Sequence, residues 1–138
     1  MKYLLIVLIL AGCASKDISA IPCETDQTSQ TGVYEMTTSE IDGDCGSMGK
    51  LEVEINNGLV KVADGLGCEL SSSSWDEFSC MSQSVYECDD GEWVMYLEWN
   101  VTSNDVNTDL TGALVTSMDR WGGIYTCEST YEFTAEKL

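Results

Sequence analysis

The sequence predicts an all-β domain: an antiparallel up-and-down β-barrel of about eight strands, stapled by disulfides. Three observations support this. Short segments in which apolar and polar residues alternate recur along the chain, separated by turn residues. No stretch shows the 3.6-residue period of an amphipathic helix. The single proline, Pro22, lies outside every predicted strand, where its missing N–H disrupts no ladder.

The first half of the domain contains the clearest hairpin signal. Residues 33–38 carry β-branched and aromatic side chains and predict the first strand. Residues 50–55 alternate, with Leu51, Val53 and Ile55 on one face. Asn57-Gly58 then predicts a tight hairpin turn, and residues 59–62 return as the next strand.

The middle of the chain is less regular. The serine-rich residues 65–74 predict a loop. Residues 77–81 and 85–89 predict two short strands joined near Ser82, and Asp90-Gly91 marks the next turn.

The last three predicted strands carry most of the aromatic residues. Residues 92–101 form the best strand, followed by strands over 110–118 and 124–134. The inward aromatics either fill the core or line a pocket for a lipid, sugar or small hydrophobe, because an eight-stranded barrel is just wide enough for either. These candidate ligand-binding residues are Trp93, Trp99, Tyr125 and Tyr131.

The amino-terminal residues predict export. Lys2 precedes a short apolar run that is about half the roughly 20 residues of a membrane-spanning helix, as in a secretory signal. Leu10-Ala11-Gly12-Cys13 resembles the lipobox of bacterial lipoproteins. The resemblance implies that Cys13 carries a diacylglycerol, that the chain is cut after Gly12 and that the new amino terminus is acylated. Ala14 in place of Asp favours the outer membrane.

This resemblance divides the chain into three parts. Residues 1–12 are the predicted signal peptide, 13–31 a polar tether and 32–138 the β domain. An ordinary cleaved signal with an incidental cysteine is the alternative. Without Cys13, six cysteines remain, an even number that in an oxidising compartment predicts three disulfides. They are Cys23, Cys45, Cys68, Cys80, Cys88 and Cys127.

Charge and composition limit the function classes. The chain has 24 acidic and 6 basic residues, a net charge of −18, and this argues against binding to nucleic acid or anionic lipid headgroups. The chain contains no histidine, which excludes Ser-His-Asp and Cys-His catalysis, and no Cys-x-x-Cys pair that would suggest zinc. We therefore expect no catalytic residue, metal or cofactor.

The topology has a rival. Strand count and alternation are similar to small barrels of the lipocalin or avidin kind, whereas Tyr125-Thr126-Cys127 and Tyr86-Glu87-Cys88 are also typical of an immunoglobulin-like sandwich. Only eleven residues follow Cys127, too few to finish a sandwich, so the barrel is favoured. In a meander the loops at Cys45 and Cys68 share one end, which suggests that these two cysteines pair.

The sequence thus predicts a lipid-anchored protein of the bacterial cell envelope, attached to the membrane through its anchor. Its domain is expected to be a non-catalytic structural or interaction module, with a protein or small-molecule partner left open. A small-ligand-binding barrel is the alternative, and a carboxylate-based hydrolase is a third hypothesis, since acids cluster near Asp76 and Asp89.

Overall fold

The computed structural model describes residues 22–23, 26–62, 67–103, 109–120 and 122–138. Within these ranges, no helix has the length and apolar character needed to cross a membrane. One 3-10 turn, Gln27–Gln30, precedes the strands. The strands are β1 Gly32–Gly43, β2 Lys50–Asn56, β3 Leu59–Val60, β4 Cys68–Asp76, β5 Met81–Asp89, β6 Trp93–Ser103, β7 Leu110–Arg120 and β8 Tyr125–Lys137.

The eight strands form one antiparallel sheet in the order β3-β2-β1-β8-β7-β6-β5-β4. The last strand returns to the first, from Tyr34 opposite Lys137 to Gly43 opposite Ser129. Neighbours in sequence are neighbours in space, and the sheet curls into a nearly closed barrel whose gap lies between β3 and β4. The predicted up-and-down barrel is confirmed. The sandwich alternative is wrong because all strands belong to a single sheet.

The barrel has two distinct ends. The end that carries the turns at residues 57–58 and 77–80 is called the lower end below. The end that carries residues 44–49 and the turn at 90–92 is called the upper end. Strand β6, with 11 residues, runs from Trp93 at the upper end to Ser103 at the lower end. At about 3.3 Å per residue, β6 is roughly 35 Å long, and the two ends lie closer together than this because barrel strands tilt relative to the barrel axis.

The core lies inside the barrel and follows the predicted alternation. Leu51, Val53 and Ile55 share the inner face of β2, as expected, although only Ile55 is fully buried. One hydrophobic cluster fills the interior with side chains from six of the strands. Its buried members are Tyr34, Met36, Ile55, Val60, Trp99, Val101, Leu110, Leu114, Tyr131, Phe133 and Ala135.

The gap in the sheet is bridged by side chains. Ser82 Oγ on β5 lies 3.0 Å from the Gly58 carbonyl oxygen, and Tyr86 Oη donates to the Val60 carbonyl (2.8 Å). The approach is close: a Cβ on Gly58 would lie 2.8 Å from the Ser82 Cβ, and Gly58 has a φ of +79°. The hairpin glycine that favours the turn therefore also lets β3 pack against β5.

The segment before β1 packs on the lower end. Gln30 is fully buried: its Nε2 donates to the Val101 carbonyl (3.0 Å), and its Oε1 accepts from Ser82 Oγ (2.6 Å). Cys23 N donates to the Glu77 carbonyl, and Cys23 is bonded to Cys80. Of the predicted tether over 13–31, residues 13–21 lie outside the described residues. The part from Asp26 onward is held against the barrel.

The middle of the chain differs from the prediction. The loop predicted over 65–74 is wrong from Cys68 onward, because the serines belong to β4, which pairs with β5 along its length. Of the two short strands predicted at 77–81 and 85–89, the first is wrong, because residues 77–80 form a turn, whereas the second is part of β5, which is continuous from Met81 to Asp89. Backbone hydrogen bonds between β4 and β5 determine the structure of this region. Most of β4 is exposed, so its side chains carry no apolar pattern.

The six cysteines form three disulfides, as predicted, but the suggested Cys45–Cys68 pair is wrong. Cys45 is bonded to Cys127, Cys68 to Cys88 and Cys23 to Cys80. The strand register explains two of these choices. Cys68 lies directly opposite Cys88 on the neighbouring strand, and Cys127 lies on β8, beside the end of β1 that leads to Cys45.

Candidate functional site

An open groove of about 1100 Å³ lies on the outer face of the barrel, near its upper end. It crosses β4 to β8 and reaches the end of β1. Seven carboxylates line it, and no lysine or arginine is among its described lining residues. They belong to Asp42, Asp44, Glu69, Glu87, Asp89, Asp119 and Glu128. We call this hollow the acidic groove.

Strand register assembles the groove from residues far apart in sequence. One row across the sheet runs from Glu69 through Glu87, Tyr96 and Ser117 to Glu128, each residue directly opposite the next. A second row runs through Asp89, Val94, Asp119 and Thr126. Glu69 and Glu87 are like charges in direct opposition, an arrangement that costs stability and that a positive ligand would relieve.

Three positive side chains among the described residues form ion pairs with acids outside the groove. Lys50 pairs with Glu35 (2.9 Å), Lys61 with Glu54 (3.2 Å) and Arg120 with Glu92 (2.8 Å). None of these acids lines the groove. The groove is therefore a strongly negative surface on a chain whose net charge is already −18.

Part of the groove is apolar. Val94 is 56% exposed and lies between the two acids of the second row, Asp89 and Asp119. A smaller adjoining hollow of about 320 Å³ adds Val115 beside Tyr96. Burial and the charge of Glu98, whose carboxylate accepts from the Tyr96 hydroxyl (3.2 Å), raise the pKa of Tyr96. The surface thus offers apolar contact between negative charges.

The edge of the groove at Asp44 is held in place. Asp44 Oδ1 accepts from Glu128 N (3.0 Å), and Asp44 N donates to the Glu128 carbonyl (3.1 Å). Asp44, Cys45 and Cys127 also bring a carboxylate and two sulfurs within 4.8 Å of one another. Those sulfurs are bonded to each other, so they offer no thiolate, the form in which cysteine binds metals.

The four predicted ligand-binding aromatics do not meet in one pocket. Trp99 and Tyr131 belong to the buried core, whereas Trp93 and Tyr125 contact each other edge to face at the upper end, with ring centroids 6.2 Å apart. Trp99 and Trp93 are six residues apart on β6, roughly 20 Å. None of the four lines the acidic groove.

Trp93 and Tyr125 have a third partner that the sequence did not suggest. The Arg120 guanidinium lies 4.5 Å from the centre of the Trp93 ring and also pairs with Glu92. Cation–π and ionic contacts of this kind fix the aromatic edge and hold the only arginine of the chain in place. We assign this cluster a structural role at the rim of the barrel.

Sequence reasoning missed the acidic groove. Alternation does place Glu87 and Asp89 on the outer face, and solvation was the expected reason for acids there. Which acids lie side by side depends on register, including the shift between Leu70 and Ser72 on β4. That shift follows no rule visible in the serine-rich sequence. The sequence indicates which side chains of each strand point outward, but it does not indicate which residues lie beside them on the neighbouring strands.

Comparisons with known proteins give no family. No family model matches the chain, and no match was found among curated proteins or solved structures.

Proposed function

We propose that this protein is an exported, lipid-anchored and non-catalytic interaction module of the bacterial cell envelope, and that its acidic groove binds a positively charged partner protein. The observation that carries the proposal is the groove itself: seven carboxylates around the exposed Val94, with no lysine or arginine on the described lining. Such a surface attracts cations over a long range and offers apolar contact once they arrive.

The filled interior supports an interaction role over the small-ligand alternative. Trp99 and Tyr131, two of the candidate ligand-binding residues, pack in the core, where Trp99 meets Phe133 edge to face.

The hydrolase hypothesis needs paired carboxylates, one of them with a raised pKa. Among the described residues, the buried polar side chains are serine, threonine and glutamine.

The position of the amino-terminal attachment supports the same role. The bonded pair Cys23–Cys80 lies at the lower end, and Cys23 is ten residues after the proposed lipidation site. An extended chain of ten residues spans at most about 35 Å. A membrane anchor at Cys13 would therefore attach the domain through its lower end and keep Cys23 within about 35 Å of the bilayer, while the groove lies toward the opposite end of the barrel.

The anchor is tested by Cys13→Ala. Because two or more acyl chains make desorption slow, the native protein should sediment with membranes. The variant should leave the membrane fraction. Sedimentation of the variant with membranes would contradict the anchor, as would a mass for the mature protein that retains residues 1–12.

The groove is tested with a triple variant and a matched control. Glu87→Gln, Asp119→Asn and Glu128→Gln together remove three charges from the groove. The control, Glu52→Gln, Glu132→Gln and Glu136→Gln, removes three exposed charges from outward positions elsewhere on the barrel. Binding of a synthetic oligolysine peptide is measured by calorimetry at low salt.

We expect the groove variant to bind about three- to 150-fold more weakly than the control, since three exposed ion pairs at roughly 0.2–1 kcal/mol each contribute roughly 0.6–3 kcal/mol. Equal losses in the two variants would show that only the overall charge matters. That result would contradict the groove as a binding surface and leave the anchor untouched.

A further inference from the structure

The final strand in the order of the sheet, β4, has one edge with no strand beside it. Among the described residues, β4 pairs with β5 alone. The opposite end of the sheet is β3, which is only two residues long, and Gly58 of its hairpin packs against Ser82 of β5. The backbone N–H and C=O groups of β4 that point away from β5 therefore face the gap of the barrel, where a further strand can pair with them.

This edge is accessible and regular. Seven of the nine residues of β4 are exposed, and its register with β5 is continuous from Ser72 to Asp76. Residues 72–76 present an edge of roughly 17 Å. Natural edge strands are commonly protected from pairing by charged residues or proline. Residues 70–75 contain neither, and the one bulge, between Leu70 and Ser72, lies outside the regular part.

The two faces of β4 indicate the chemistry of a strand that would fit beside it. Glu69 and Asp76 lie on the outer face, and Glu69 also lines the acidic groove. Leu70, which is 45% exposed, and Trp75 lie on the inner face. Side chains on neighbouring strands contact each other across the same face, so the outer face favours lysine or arginine and the inner face favours apolar residues.

A second copy of the chain fits this edge poorly. Each copy has a net charge of −18. An antiparallel pairing of two β4 strands about their centre would bring Glu69 of one copy toward Asp76 of the other, and like charges in that position are destabilising. A cationic segment meets the same two carboxylates with opposite charge.

We propose that the partner adds an extended segment to β4 as a further strand, with lysine or arginine on its outer face and apolar side chains on its inner face. This inference rests on the proposed function, because it describes how the same positively charged partner binds. Backbone hydrogen bonds to residues 72–76 supply affinity in this mode of recognition. The outer face of the added strand is continuous with the acidic groove at Glu69.

The probe is a synthetic seven-residue peptide in which four lysines alternate with three valines, so that its extended form has cations on one face and valines on the other. Backbone hydrogen exchange is measured by NMR on the 15N-labelled full-length chain, with and without saturating peptide. We expect alternate amides within residues 72–76 to exchange at least tenfold more slowly with peptide bound, because the added strand accepts from them. Amides of β6, which is paired on both sides, should be unchanged.

Two controls separate strand pairing from charge attraction. The same peptide N-methylated at every residue keeps its charges but has no backbone donor, so it should bind at least tenfold more weakly and protect no amide of β4. The groove variant Glu87→Gln, Asp119→Asn and Glu128→Gln should lower the affinity for the unmethylated peptide. At saturation it should keep the protection of residues 72–76, because β4 itself is unchanged.

Equal binding of the two peptides without protection of β4 would overturn strand addition and leave the acidic groove as the binding surface. Binding of neither peptide would contradict the proposed function as well. Protection of residues 72–76 in the free protein that increases with protein concentration would assign the edge to a second copy of the chain and overturn the inference.

Discussion

Asp90 shows how one side chain sets a turn. Its Oδ1 accepts from the backbone N–H groups of Trp93 (2.7 Å) and Glu92 (2.9 Å), which positions the start of β6 at the upper end. These hydrogen bonds, to Trp93 first and Glu92 second, lower the pKa of Asp90 below its usual 3.8. The charged carboxylate is therefore favoured in the folded state.

The sign of the pH dependence follows. A carboxyl group whose pKa is lowered by folding stabilises the protein above pH 3.8, and that contribution is lost as the pH falls through the folded-state pKa. Asp90→Asn should therefore lower the melting temperature at pH 5 to 7, and the difference from the native protein should shrink toward pH 2. Thermal unfolding by circular dichroism across this range measures it.

Glu136→Gln serves as the control, because this exposed carboxylate on β8 caps no turn. Its effect on the melting temperature should be smaller at neutral pH. A difference between Asp90→Asn and the native protein that grows as the pH falls would contradict the assignment.

Among the elements, the disulfides tie parts of the barrel together over different lengths of chain. Cys45–Cys127 joins residues 82 apart and fastens the β1–β2 loop to β8, where Tyr131 Oη also donates to the Gly46 carbonyl (2.6 Å). Cys68–Cys88 joins residues only 20 apart on two strands that already pair. Cross-links that close longer loops remove more entropy from the unfolded chain.

The stability lost when a disulfide is removed should increase with the length of the loop that it closes. On the loop-entropy relation, Cys45→Ala with Cys127→Ala should lower the free energy of unfolding by about 4.5 kcal/mol, and Cys68→Ala with Cys88→Ala by about 3.3 kcal/mol. Urea unfolding at equilibrium measures both. A larger loss from the Cys68–Cys88 pair would mean that β4 depends on its bridge more than on its ladder with β5.

At the scale of the whole molecule, like charges are opposed at several places in the sheet. Glu35 lies opposite Glu52 on one side and Glu136 on the other, and Glu69 lies opposite Glu87. With a net charge of −18, repulsion between these groups works against the compact state. Salt screens exposed charges, with a Debye length of about 30 Å at 0.01 M and about 3 Å at 1 M.

Stability should therefore increase with salt. We expect the melting temperature at pH 7 to rise by several degrees between 10 mM and 1 M sodium chloride. The groove variant with three charges removed should show a smaller rise, because less repulsion remains to be screened. A melting temperature that is constant or falls with salt would show that repulsion contributes little to the stability of this barrel.

Local pattern was enough to predict much of the fold. Alternation over residues 50–55 and 92–101 identified the inner face correctly, because a residue's side of a strand depends only on its position in the pleat. Asn57-Gly58 correctly predicted a hairpin turn, because the turn type depends on the positive φ angles that these two residues adopt. The pattern failed at the serines of β4, where an edge strand buries too little for its faces to differ.

The sequence by itself determined the all-β class of the domain and the presence of three disulfides and favoured the barrel over the sandwich, since these follow from periodicity, turn residues and the count of cysteines. Only the tertiary structure decided that Cys45 bonds Cys127, that Gln30 packs into the lower end and that Glu69, Glu87 and Glu128 share one groove. Each of these depends on register and on how the sheet curls, and both place residues far apart in the chain side by side.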